Sequence, residues 1–519
     1  MATGPIGRRT FLQVAGIGGA AAVLAGCTSR PGGVSAGSTT TSAGSAIAAT
    51  SAGSATTAST GPPDYRALAG KLSGPLFTPG DAGYVNAALS YNPRFDGRRP
   101  AAVARCGTPA DVQACVSFAA RSRIPFAARS GGHSYAGYST PDGALVADLG
   151  GMSAVSVQPD GTAMVGAGAR LIDVYAGLAA AGRALPGGSC PSVGIAGLTL
   201  GGGVGVLGRK YGLTCDRLTG ATVVTADGTQ HAVSASDDPD VFWALRGGGG
   251  GNVGVVTSLL FDTVPAPGLT VFLLGFPAGS AGEVLGGWQH WITSAPDEVW
   301  ANCNITGGNP STCTISGCFV GSATTLNPML DSLVRATGAR PSYRTVREQS
   351  YLDAMRYFGG CASQTIAGCH LEIDGGKLGR EAFAASSRIL AAPLADPSAV
   401  AGVCDGHPDL HLIFDGLGGA IGRIAPEATA FPHRAAVATV QIYQKTVAAN
   451  GSAATSTVNR VRDELTPMLG AGGYVNYIDA AMPNWGQAYY GANLGRLRDL
   501  ARRVDPDGLF SFAQAVRDA

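Results

Sequence analysis

Twelve residues at positions 194–205, GIAGLTLGGGVG, hold six glycines, and nothing else in the chain restricts its fold as strongly. A glycine inside a regular helix or strand costs about 0.5–1 kcal/mol relative to alanine. The segment therefore predicts neither element, and instead a backbone that passes close to something with no side chains between. Two further stretches behave alike: RSGGHSYAGYS (129–139) and GGGGGNVGVV (247–256). Clustered backbone N–H groups free of side chains suit a diphosphate. No strand leads into a G-x-G-x-x-G with an acidic residue ~20 positions on, which argues against a nicotinamide-binding Rossmann domain.

Helical and strand patterns alternate around these loops. DVQACVSFAARSR (111–123) spaces Val112, Cys115, Val116 and Ala119 as one helical face, and IPFAAR leads as a strand into the second glycine loop. VSVQPDGTAMVGAG (155–168) and ATVVTADGTQHAV (221–233) predict hairpins around Pro-Asp-Gly and Asp-Gly. After Pro265 the glycine loops thin out. LTVFLLGF, VWANCNIT, TCTISGCFVG and AVATVQIYQ read as strands separated by helical segments such as LNPMLDSLVRATG, and NLGRLRDLARRV predicts a last amphipathic helix.

Two nucleophiles lie in the glycine loops, His133 in RSGGHSYAGYS and Cys190 in PGGSCPSVGIAGLTLGGGVG, 57 residues apart. Taken singly, such a histidine is more often a satisfied loop residue, and such a cysteine a buried thiol or half of a disulfide. Downstream stand GRKYGLTCD (208–216), VVTADGT (223–229), DPDVFWALRGGGGGNVGVVTS (238–258), GRIAPEATAFPHR (422–434), YVNYID (474–479) and DPDGLFSFAQAV (505–516). With these motifs in this order, residues 64–519 resemble the berberine bridge enzyme-like flavoproteins of the vanillyl-alcohol oxidase / p-cresol methylhydroxylase superfamily. The resemblance implies an α+β fold. It has a two-lobed FAD-binding domain of the p-cresol methylhydroxylase type (64–265 and 464–519) and a substrate domain (266–463) with an antiparallel sheet backed by helices.

The resemblance also implies FAD held by two covalent bonds, from His133 to the flavin 8α-methyl and from Cys190 to C6. Arg129, Ser130, Gly131 and Gly132 would hold the diphosphate, with Ser134 beside them. Val193, Gly194, Gly197, Gly201 and Gly203 would approach the ring and pyrophosphate; Asn252, Gly254 and Val256 would lie along the cofactor, with Asn476 next to it. A small residue at the position of Val193 goes with oxygen access, and so with an oxidase. The tyrosine of N-Y-x-D is the base, here Tyr477, and Gln441 matches a glutamine facing the substrate. Two positions depart from the pattern: Leu198 replaces a histidine, and Thr439 replaces the lysine of plant relatives, which leaves the activation of Tyr477 open.

Hydroxyl oxidation needs a base for the O–H proton, and a phenol with pKa ~10 is a poor one unless its anion is stabilised. If YVNYID is a strand, Tyr474 and Tyr477 point to opposite sides and only one meets the ring. His433 and Arg434 read as structural; His290, Trp291 and Trp300 have no visible partner and read as core or as a stacking platform. No His/Cys/Asp cluster has metal-ligand spacing.

The ends carry their own signals. Residues 1–27 run from Arg8-Arg9-Thr10-Phe11-Leu12 through a Gly/Ala-rich stretch to Leu24-Ala25-Gly26-Cys27, the pattern of a twin-arginine, lipoprotein-type signal; an ordinary secretory signal is the alternative. Residues 28–63, almost wholly Ser, Thr, Gly and Ala at first, predict a disordered tether. No later stretch reaches the ~18–20 apolar residues of a membrane span, so any membrane contact is through the signal or a lipid on Cys27. A net charge of +1 gives no field for nucleic acid. Eleven cysteines in an exported chain allow disulfides, with Cys303/Cys313 and Cys361/Cys369 as candidate pairs or plain buried thiols. The first reading is an exported oxidase taking a hydroxyl-bearing sugar or glycosylated or polycyclic metabolite, with O2 as partner. The alternatives are a flavin dehydrogenase with another acceptor and a ligand-binding surface lipoprotein.

Overall fold

The structure, a computed structural model, describes residues 62–519. The expected signal and nearly all of the expected tether lie outside the described residues. Three sheets carry the fold. The first is formed by β1 (Leu76–Phe77), β2 (Ala102–Arg105), β3 (Phe126–Arg129) and β4 (Leu145–Asp148) in the order β1-β2-β4-β3, with β4 parallel to both neighbours. Helix α1 (Pro109–Ser122) makes the β2-to-β3 crossover. Thr108 caps it in a capping box with Asp111, and Val112, Cys115, Val116 and Ala119 are wholly buried.

Next come β5 (Val155–Val157), β6 (Thr162–Gly166), β7 (Arg183–Ala184), β8 (Leu218–Val224), β9 (Gln230–Ser234), β10 (Val255–Asp262) and β11 (Val264–Pro265). Five of them form an antiparallel sheet, β5-β6-β10-β8-β9, which contains both expected hairpins; β7 and β11 pair with each other. The third sheet is antiparallel throughout: β12 (Leu269–Phe276), β13 (Val299–Thr306), β14 (Thr312–Val320), β15 (Tyr343–Gln349), β16 (Phe383–Leu390), β17 (Leu410–Gly416) and β18 (Ala438–Lys445), ordered β15-β12-β14-β13-β17-β18-β16. Strand period two divides its side chains between two cores. Leu269, Val271, Trp300 and Cys318 join the core of the first two sheets, whereas Phe272, Leu274, Ala301 and Ile305 pack with helices Ala281–Ser294, Ala323–Thr337 and Gly451–Leu469 on the far side. This is an α+β architecture in which a helix-backed antiparallel sheet covers the two smaller sheets.

Three local expectations change, and the open choice between disulfides and thiols is settled. Residues 194–205 are not irregular throughout: Ile195–Leu200 forms a short helix, because Ile195, Ala196 and Leu200 bury in the core and outweigh the cost of Gly197. The irregular backbone begins at Gly201, with positive φ at Gly202 and Gly203. YVNYID is not a strand, since Val475–Tyr477 is a 3₁₀ turn. The expected boundary at 463/464 falls inside the helix Gly451–Leu469. Cys361 and Cys369 form a disulfide, but Cys303 and Cys313 remain thiols with sulfurs 3.4 Å apart. Strand register pairs Cys303 with Ile315 and Cys313 with Ile305, so the two cysteines are diagonal rather than opposed.

Candidate active site

A cavity of about 610 Å³ lies where the three sheets meet. Its wall comes from β3 and the loop after it, from the segment around Cys190, from the head of β10 and from residues 475–478 and 510–514. Phe383 on β16 and Tyr443 on β18 roof it. Of the residues singled out from sequence, Ser130, Gly131, Gly132, His133, Ser134, Cys190, Val193, Gly194, Gly197, Asn252, Gly254, Val256, Asn476 and Tyr477 line this cavity.

Four of them do not line it. The Arg129 guanidinium is a strut, 2.7 Å from Asp148 and bonded to the carbonyls of Ala87 and Leu89. Gly201 makes room for Asn476 and Gly203 for Thr214: a Cβ would come within 2.0 Å of Asn476 Oδ1 and 2.3 Å of Thr214 Oγ1. Gln441 is buried and donates to Tyr135 Oη at 2.7 Å. Gly131 and Gly194 line the cavity, yet they are small chiefly because the two nucleophile loops touch there, with a Cβ on Gly131 2.2 Å from Gly194 N. Gly197 is different, because a Cβ there meets nothing within 4 Å.

The polar lining, with both donors and acceptors, fits FAD. Gly197 presents open backbone, and three buried side-chain atoms in the wall have no hydrogen-bond partner: Tyr138 Oη, Ser139 Oγ and Gln514 Oε1. A buried polar group is rarely left unpaired unless a ligand or water completes it.

His133 stacks on Tyr91, ring centroids 4.0 Å apart at 18°. Burial, with a smaller push from Arg170, lowers its pKa to about 3, so the imidazole is neutral. Burial raises the Cys190 thiol, against hydrogen bonds from Ser192 and the backbone of Ser192 and Val193.

Tyr477 Oη donates to Asp415 Oδ2 at 3.1 Å. Asp415 is on β17, flanked in register by Asn302 of β13 and Thr439 of β18. The carboxylate thus stands directly across from the position where plant relatives place lysine. Burial raises its pKa to about 6, against hydrogen bonds from Tyr477 and Asn302. Burial also raises Tyr477 well above the phenol range, and the neighbouring carboxylate raises it further. Tyr135 lies parallel to Tyr477, centroids 5.6 Å apart. Tyr474 and Tyr477 are not separated by strand parity; their rings meet edge-on at 5.0 Å. Tyr474 stays out of the cavity because its oxygen accepts from Gly203 N, Val204 N and Asn476 Nδ2. Burial pushes its pKa up to about 12.

His433 and Arg434 lie apart from this group; Arg434 is buried in a bidentate pair with Asp216, both contacts 2.8 Å. Trp300 is core, edge-on to Phe358. Sequence reading passed over Asp415, Tyr135, Tyr91 and Ser192. A lone acid in the apolar run HLIFDG was the available signal for Asp415, lost because that run was not read as a strand; Tyr135 was in plain sight two residues after His133. Among the described residues, no group of His, Cys, Asp and Glu could hold a metal ion, and no helix is long and apolar enough to cross a membrane.

The fold and this cavity define an FAD-dependent oxidoreductase. The family described as "FAD binding domain" matches residues 100–234, and that described as "Berberine and berberine like" matches residues 473–517. An FAD-linked oxidoreductase of Bacillus subtilis, YgaK, is 33% identical over 86% of this chain and 97% of its own. The chitooligosaccharide oxidase of Gibberella zeae is 32% identical over 85% of this chain and 92% of its own. The solved BBE-like 1 of Physcomitrella patens superposes with a TM-score of 0.81 at 28% identity, covering 87% of this chain and 99% of that one. The chain belongs to the berberine bridge enzyme-like family of FAD-linked oxidoreductases.

Proposed function

We propose that this enzyme is an oxidase of hydroxyl-bearing carbons in sugars or in glycosylated or polycyclic metabolites, with FAD bonded to both His133 and Cys190 and dioxygen reduced to hydrogen peroxide. The observation that carries the reading is the Tyr477–Asp415 pair meeting the cavity that His133 and Cys190 line. The likeness to a chitooligosaccharide oxidase over most of both chains supports a carbohydrate substrate, and Val193 in the cavity wall supports oxygen access.

Bound FAD supplies the two-electron acceptor. The protein's part is to take the proton. A tyrosinate next to an ionised Asp415 would put two negative charges in one buried site. Tyr477 therefore accepts the substrate O–H proton as its own proton passes to Asp415, and a single charge is present throughout. Burial pushes Asp415 up to about 6, so it is ionised at neutral pH yet a stronger base than an ordinary carboxylate when the proton arrives. Gln441 acts through Tyr135, whose ring parallels Tyr477.

The pH dependence follows in sign. Protonated Asp415 cannot accept, so flavin reduction falls as pH drops through about 6 and levels off above it. Single-turnover reduction rates between pH 4.5 and 8 should show this acid limb, and Asp415→Asn should abolish it along with most of the rate. A flat profile in the unmodified enzyme would exclude Asp415 as acceptor.

A peroxide-coupled screen of oligosaccharides and alcohols on purified protein tests the function, with one peroxide expected per substrate oxidised. Flavin reduction without peroxide would instead mark a dehydrogenase, and reduction by no compound a binding protein. Arg8-Arg9 and Cys27 support export by the twin-arginine route with lipid anchoring at Cys27, or secretion.

A further inference from the structure

The two nucleophiles come from separate loops, yet one hydroxyl touches both. Ser192 Oγ lies 3.0 Å from His133 Nε2 and 3.6 Å from Cys190 Sγ. Ser192 is 2% exposed and is not part of the cavity wall, so it stands behind the nucleophiles and does not meet the cofactor. We propose that Ser192 is a positioning residue for flavin attachment, its hydroxyl holding His133 in the tautomer that leaves Nδ1 unprotonated while donating to the Cys190 thiolate. The inference rests on the reading that FAD is bonded at both residues.

A hydroxyl carries one proton and two acceptor lone pairs. A neutral imidazole has one N–H, and the other nitrogen holds the lone pair that can attack. If Nε2–H donates to Ser192 Oγ, Nδ1 is the armed nitrogen. The serine proton is then free for Cys190 Sγ, where, with the backbone N–H groups of Ser192 and Val193, it opposes the burial that favours the neutral thiol and stabilises the thiolate that reacts. The reverse orientation, with the serine proton on Nε2, would leave Nδ1 protonated and the sulfur without its side-chain donor. Tyr91 stacking fixes the plane of the imidazole, and the Ser192 carbonyl also accepts from the ring, so the backbone and the hydroxyl of Ser192 together set which nitrogen carries the proton.

The chemistry balances with dioxygen as oxidant. The nucleophile's lone pair forms the new N–C or S–C bond, and a C–H bond at the 8α or C6 carbon breaks. Each attachment removes one hydrogen from that carbon and one from the nucleophile, and dioxygen takes the electron pair and both protons as hydrogen peroxide.

The test compares full-length wild type with Ser192→Ala, Ser192→Thr and Ser192→Val, the last two being equal in shape but only the threonine bearing a hydroxyl. Protein is harvested at successive times after synthesis and digested, and flavin mass is measured on the His133 and Cys190 peptides separately. Wild type and Ser192→Thr should carry flavin on both. Ser192→Ala and Ser192→Val should acquire it at least about tenfold more slowly, most severely on Cys190, as expected for losing a hydrogen bond to a charged group. Equal attachment in the threonine and valine variants would overturn the role of Ser192 alone. A wild-type digest with flavin on only one peptide, or on neither, would overturn the bicovalent reading beneath it.

Discussion

Tyr477→Phe is expected to keep its fold, its covalent flavin and its substrate affinity while reducing the flavin about 10²- to 10⁴-fold more slowly, the usual contribution of a positioned proton acceptor. The hydroxyl is the only group removed, and it joins the cavity to Asp415 across 3.1 Å. Asp415→Asn should lose rate on the same scale, because the amide cannot take the proton from Tyr477. In the proposed relay the two residues act as a unit, so the double variant should be little worse than the slower single variant, because the effects of such residues are not additive. The oxygen half-reaction should be almost unchanged in all three. Stopped-flow reduction is the appropriate measurement, since turnover alone mixes chemistry with product release. A Tyr477→Phe enzyme that reduces its flavin at near the wild-type rate would exclude the relay. Tyr474→Phe is a different experiment: it removes the acceptor for Gly203 N, Val204 N and Asn476, so it should loosen the glycine loop and leave the acid limb in place.

The second large effect concerns attachment. Denatured wild-type protein should stay yellow and hold all its flavin through precipitation in acid. His133→Ala and Cys190→Ala should each retain one bond, identified by the flavin-bearing peptide in a digest, whereas the double variant should release all its flavin on denaturation. Gly197, Tyr138 and Gln514 in the cavity wall are not altered by these substitutions, so the double variant should still bind FAD before denaturation. Free FAD released by acid from the wild type would defeat the bicovalent reading outright.

Short-range signals were legible in the chain. Helix α1 was visible from four apolar positions, and the two hairpins from Asp-Gly turns; the strands 269–276 and 299–306 end where their apolar runs end. Less visible were β16 and β17, whose apolar runs are interrupted by Ser386, Ser387 and Arg388 and by His411 and Asp415, and so the strand bearing Asp415 went unread.

The family motifs by themselves determined that two nucleophiles, a glycine-rich backbone and a tyrosine belong to one flavin-binding chain, because residue type and local spacing set what chemistry a loop can offer. Tertiary structure alone decided which residues complete them. Asp415 reaches Tyr477 from 62 positions away, Ser192 reaches His133 from 59, and Gln441 reaches Tyr135 from 306. Strand order and register place these partners, and register depends on the summed burial of whole faces rather than on any short stretch of sequence. The same reasoning explains Gly131, Gly194, Gly201 and Gly203: the chain showed that a Cβ was unwelcome there, but only the packed loops showed that the obstacle is the protein itself.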